Sequence, residues 1–253
     1  MESNISRSTT ILFALLALMF CGCAETIDSP LEFAELARLH ERAGDEAAAI
    51  QAYQLSLELR EDDAPLWWDL GRAYDRIEDF EQAVSAYSRA IEFDETLVAA
   101  FENRGRAFLK LNRIADAQAD FARALELRPD SAVALHQRGV AHARLNDIHG
   151  AILSFDAAIR FNGLIPEAYV DRGNIYLQVG RLPRALEDFH HALSVRDDLV
   201  DAWIGRAKVH LAMGDQAAAD AAKARAVELG ADAATLDFSS IPHDVEAAPM
   251  AGE

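Results

Sequence analysis

Residues 98–131 read VAAFENRGRAFLKLNRIADAQADFARALELRPDS. Apolar side chains recur at helical spacing in two blocks, Phe101–Leu111 and Ile114–Leu127, separated by Asn112 and Arg113. Three small residues, Gly105, Ala117 and Ala124, fall where two antiparallel helices would touch. Pro129 stops the second block, because its ring removes a donor and clashes with the preceding turn. The stretch predicts a hairpin of two helices.

The pattern extends in both directions without insertion, as 30–63, 64–97, 98–131, 132–165, 166–199 and 200–233. Within this frame position 20 is Ala49, Ala83, Ala117, Ala151, Ala185 and Ala219. Position 8 is Ala37, Gly71, Gly105, Gly139, Gly173 and Ala207. Position 24 is Tyr53, Tyr87, Phe121, Phe155, Phe189 and then Lys223, and position 27 is Ser56 followed by five alanines. Small residues let two helix axes approach, and aromatics fill the space on either side.

These columns resemble the tetratricopeptide repeat, with a bulky residue, Leu, Gly and an aromatic on the first helix and Ala–aromatic–Ala on the second. The resemblance implies an all-α fold, a right-handed α-solenoid of six helix pairs, and a non-catalytic protein-binding role. The family's late proline is matched only by Pro129. In the sixth repeat Gln216, Asp220 and Lys223 replace apolar or aromatic residues, which suits a terminal cap with no further repeat to bury it. Residues 234–253 hold Pro242, Pro249 and Gly252 with little periodicity and are expected to form a mobile tail, the alternative being that Leu236, Phe238 and Ile241 fold back on the cap.

The chain has 253 residues, 51% of them hydrophobic, and a formal charge of −18. That charge excludes a nucleic-acid-binding surface, which needs a basic excess to displace counterions. Both cysteines, Cys21 and Cys23, lie near the N-terminus, so no disulfide framework supports the fold. Residues 1–22 read as a secretory signal, with Arg7 in the n-region and Ile11–Phe20 as the apolar h-region, too short to span a bilayer. Phe20-Cys21-Gly22-Cys23-Ala24 resembles a bacterial lipobox, which implies lipidation at Cys23 and a linker over 23–29. Ala24 in place of Asp implies, by the sorting rule of such lipoproteins, an outer-membrane location facing the periplasm. The membrane is then reached by the lipid anchor only.

No nucleophile motif, phosphate loop or zinc spacing is present, so neither a catalytic site nor a cofactor is expected. His40, His142 and His210 share position 11 with Tyr74, Phe108 and Tyr176, so they are expected to pack as aromatic substitutes. His142 and His149 fall on different helices, and His190 and His191 point apart. Arg104, Arg138, Arg172 and Arg206 fill position 7, and Asp120 and Asp188 fill position 23. Intra-repeat ion pairs are therefore expected.

The resemblance places a concave face on the first helices, with ligand contacts at positions 2, 5, 9, 12 and 13. Position 9 begins Arg38, Arg72, Arg106, and position 13 runs Arg42, Arg76, Lys110, Arg144. This is a basic ladder in an acidic protein. Trp68 stands beside it at position 5. Further along, Val140, Ala143, Val170, Leu177, Ile204 and Leu211 are apolar. The expected occupant is a protein or peptide, with an acidic or C-terminal carboxylate part on the arginines and an apolar part on Val170 and Ile204. Against this, Glu41, Asp75 and Glu102 lie at helical spacing from Arg38, Arg72 and Arg106, so ordinary surface pairing would give the same pattern. The carboxylate clamp for chaperone tails is not matched, since Val170 and Asn174 lack its Lys. A homo-oligomeric envelope protein meeting another copy through Val170 and Ile204, or an accessory subunit of an envelope enzyme, are the alternatives.

Overall fold

The computed structural model describes residues 29–236, and within them all regular structure is helical. Twelve α-helices run as six hairpins: α1 Pro30–Ala43 with α2 Glu46–Leu59, α3 Ala64–Arg76 with α4 Phe80–Phe93, and α5 Val98–Lys110 with α6 Ile114–Leu127. The series continues as α7 Ala132–Arg144 with α8 Ile148–Phe161, α9 Pro166–Gln178 with α10 Leu182–Val195, and α11 Val200–Ala212 with α12 Gln216–Glu228. A 3-10 turn, Ala233–Leu236, follows. The expected signal segment, Cys23 and most of the tail lie outside the described residues.

The chain divides into two compact units, one ending at Glu95 and the other beginning at Thr96. The first unit holds α1–α4, around Tyr53, Leu66, Leu70 and the alanines of its helices. The second holds α5–α12, whose core is built from successive clusters centred on Phe155, Phe189 and the α12 alanines.

The first five hairpins close the same way. The position-24 ring is fully buried and lies against position 8 of the facing helix, where a Cβ on Gly71, Gly105 or Gly139 would sit 2.5–2.6 Å from Tyr87, Phe121 or Phe155. Position 20 is alanine with no exposed surface in every repeat. The turn between helices passes through the left-handed region at position 15, at Gly44, Glu78, Asn112, Asn146, Gly180 and Gly214. Aspartate or serine caps seven helices, among them Ser29, Asp45, Asp79 and Asp147, whose side chains accept from a first-turn amide.

In the sixth repeat Gln216 and Asp220 are exposed and bonded to one another at 2.8 Å. Leu236 of the terminal turn is buried against Ala222, Ala226 and Leu211, so the start of the tail packs on this last hairpin.

Candidate binding face of the first helices

In the first unit the cations of α1 and α3 converge. Arg38 and Arg72 share one carboxylate, with Arg38 Nη2 3.3 Å from Asp69 Oδ2 and Arg72 Nη1 3.4 Å from Asp69 Oδ1. The Arg72 guanidinium lies over the Trp68 ring, 4.7 Å from its centroid. Trp68 is half-buried, and its indole Nε1 is buried without a hydrogen-bond partner among the described residues. Burial raises the Asp69 carboxyl above its ordinary value, against the pull of Arg38 and Arg72. Burial, with the Asp69 charge next, also holds the Tyr53 phenol well above its usual range.

Arg76 reaches back to the preceding repeat and meets Glu41 at 2.5 Å and Glu46 at 3.3 Å. Arg42 is exposed and has no partner among the described residues. The basic ladder is thus not a bare row of cations: three of its four members in this unit are held by carboxylates, Arg38 and Arg76 across the repeat boundary and Arg72 within its own helix. The partners are not the expected Glu41 for Arg38 or Asp75 for Arg72. Arg38 and Arg76 bond to Asp69 and Glu41, 31 and 35 residues away, a separation that a search along one helix does not reach, whereas Arg72 bonds to Asp69 one turn back on its own helix.

In the second unit Arg106 and Lys110 are exposed on α5, and Lys110 has no partner among the described residues. Arg144 donates to the carbonyl of Leu109. Glu102 does not hold Arg106 but accepts from the Ser131 hydroxyl at 2.5 Å.

The apolar half departs from expectation. Val170 is only 6% exposed and belongs to the cluster that holds Phe189 and Ala202, so the following repeat covers it. Leu211 is likewise buried, and Val140, Ala143, Leu177 and Ile204 are half-buried against neighbouring clusters. These positions form the packing between repeats, and an exposed apolar groove for a partner or a second copy does not exist at Val170.

The expected intra-repeat pairs are present. Arg104 grips Asp120 with Nε and Nη2 at 2.8 and 2.7 Å, and Arg172 grips Asp188 at 2.9 and 2.6 Å. The position-11 histidines are half-buried, and each turns Nδ1 toward the aspartate that caps the next helix, closest in His142 to Asp147 at 2.8 Å. Another pair, His136 Nε2 to Asp171 Oδ2 at 2.7 Å, links two repeats. No group of three or more His, Cys, Asp or Glu is placed to hold a metal among the described residues. Among them too, no helix is long and apolar enough to cross a membrane.

Family models described as Tetratricopeptide repeat match residues 33–63, 64–97 and 103–164. The chain is built from tetratricopeptide repeats. Solved tetratricopeptide structures resemble it over most of its length. YrrB, described as a TPR protein with an unusual peptide-binding site, is 18% identical with a TM-score of 0.57, covering 76% of this chain and 98% of that one. PilW, a type IV pilus biogenesis factor, is 20% identical with a TM-score of 0.70, covering 78% and 91%. A tetratricopeptide repeat protein from Parabacteroides merdae ATCC 43184 is 17% identical with a TM-score of 0.70, covering 92% of both chains. At these identities the likeness is one of fold. No curated protein matches the sequence.

Proposed function

We propose that this protein is a non-catalytic scaffold held at the bacterial cell envelope, and that the first-helix face of its N-terminal unit receives a carboxylate-bearing protein segment. One observation carries the binding reading: Arg38 and Arg72 share the single carboxylate of Asp69, with Arg72 stacked on Trp68. Asp69 accepts one N–H from each of the two guanidiniums, so both forks keep donors free. A second carboxylate can take the free N–H pairs of the two forks, and the Trp68 ring offers it an apolar wall. Arg42, one turn further along α1, extends the same charge.

The envelope location rests on the Phe20-Cys21-Gly22-Cys23-Ala24 stretch, with Cys23 as the lipidated residue and the outer membrane, facing the periplasm, as the destination. Tethering would present the repeats to partners in the periplasm, as a scaffold that positions them and carries out no reaction.

The binding test compares acidic peptides with free and amidated C-termini by fluorescence anisotropy, on wild type and on Arg38→Gln/Arg72→Gln. Peptides with the free carboxylate should bind, and the double variant should weaken them roughly tenfold or more while its circular dichroism is unchanged. Equal binding by wild type and variant would sink the reading. For the anchor, Cys23→Ser should move the protein from membrane to soluble fractions and abolish incorporation of labelled fatty acid.

A further inference from the structure

Position 7 of the first helix and position 23 of the second vary together along the chain. The pairs run Leu36 with Ala52, Leu70 with Ala86, Arg104 with Asp120, Arg138 with Ser154, Arg172 with Asp188, and Arg206 with Ala222. Where the arginine first appears, an aspartate opposite receives it, as the forked bonds of Arg104 and Arg172 show. Arg138 has a weaker acceptor, the Ser154 hydroxyl at 3.3 Å. In the sixth repeat the arginine is kept, and the alanine opposite offers it no side-chain acceptor.

An open cleft of about 440 Å³ lies between α11 and α12, lined by Trp203, Arg206, Ala218, Ala222, Arg225 and Glu228 among others. Ala222, 3% exposed, stands at the repeat position that Asp120 and Asp188 fill. The Arg206 guanidinium lies 5.3 Å from the centroid of the Trp203 ring and has no hydrogen-bond or ion-pair partner among the described residues. Arg225 on the opposite wall is held by Glu228 at 2.8 Å. The cleft therefore combines one uncommitted donor fork with an indole and an alanine floor.

We propose that this cleft is a carboxylate-binding site, in which an external carboxylate takes the place that Asp120 and Asp188 occupy in repeats three and five. Arg206 supplies the two parallel N–H donors, Trp203 fixes the plane of the guanidinium, and the alanines accept a short apolar stem. The site is independent of the Arg38 and Arg72 face. A small dicarboxylate and an acidic side chain of a protein segment present the same group to it.

The test follows the Arg206 Nε–H and Trp203 indole N–H signals of the full-length protein by NMR during addition of sodium succinate, against sodium chloride at equal ionic strength. Both signals should move saturably with succinate and not with chloride. Arg206→Gln should weaken the response roughly tenfold or more. Ala222→Asp supplies the carboxylate from inside and should abolish it, while Ala222→Ser, which leaves the fork uncommitted, should retain it. If succinate is silent on the wild type but active on an Asp237→Asn/Asp244→Asn/Glu246→Gln variant, the chain's own carboxylates fill the site and an external occupant is ruled out. Silence in both, or an unchanged response in Arg206→Gln, overturns the proposal.

Discussion

Glu78 holds φ at 60°, a value that the other repeats assign to Gly44, Asn112, Asn146, Gly180 and Gly214. A side chain with a Cβ sits there at a cost of about 1–2 kcal/mol, because Cβ crowds the following carbonyl oxygen. Glu78→Gly removes that contact but gives the unfolded chain more freedom, so a net gain of about 0.5–1 kcal/mol is expected. Glu78→Asn should recover part of it. A higher thermal midpoint for both variants is the check, and a lower one would show that Glu78 holds something more than the turn. The position-15 column was present in the sequence, masked by this one glutamate. The partners of Arg38 and Arg76 were hidden differently. Asp69 and Glu41 are remote in sequence from those arginines, and only the register between neighbouring repeats brings them together.

Between elements, the hairpin interface depends on the pairing of a missing Cβ with a buried ring. At Gly139 an added methyl would meet Phe155 Cε1 at 2.5 Å, and Phe155 is 1% exposed with nowhere to move. Helix propensity favours Gly139→Ala by about 1 kcal/mol, whereas overpacking costs about 1–3 kcal/mol. The variant should therefore be destabilised, and Phe155→Leu should make the same change tolerable. A stabilised Gly139→Ala protein would show that α7 and α8 can separate freely. The turn between those helices also carries a pH dependence. The Gly150 amide donates to Asp147 at 2.9 Å and, with His142 nearby, holds that carboxyl below its ordinary value of 3.8. A depressed carboxyl contributes stability above 3.8 and loses it as pH falls through its lower native value. The Gly150 amide shift should titrate with a midpoint below 3.8, and Asp147→Asn, which keeps the cap, should flatten the curve. These interfaces were legible from Gly139 and Phe155 sixteen residues apart. The burial of Val170 was not, because position 5 belongs to the first-helix face in one repeat and to inter-repeat packing in another.

At the scale of the molecule, the repeat frame read from residues 98–131 organises every helix from α1 to α12, because all six hairpins keep the buried alanine of position 20 and the first five add the buried ring of position 24. Its energetic consequence is unequal between the two units. A repeat array is stabilised by each hairpin and by each interface between neighbours. The unit ending at Glu95 contains two hairpins and one internal interface, α2 with α3. The unit from Thr96 contains four hairpins joined by α6 with α7, α8 with α9, and α10 with α11. Repeats four and five have a neighbour on each side within that unit, His136 to Asp171 links the two, and Arg172 to Asp188 braces repeat five. Amide hydrogen exchange on the full chain should therefore be slowest in α8–α10, faster in α1–α4, and fast in α12, whose outer face is polar. Uniform protection from α1 to α12 would mean that the chain opens as one cooperative block. The measured gradient would instead identify the N-terminal unit, which carries Arg38, Trp68 and Arg72, as the part most able to adjust to an occupant.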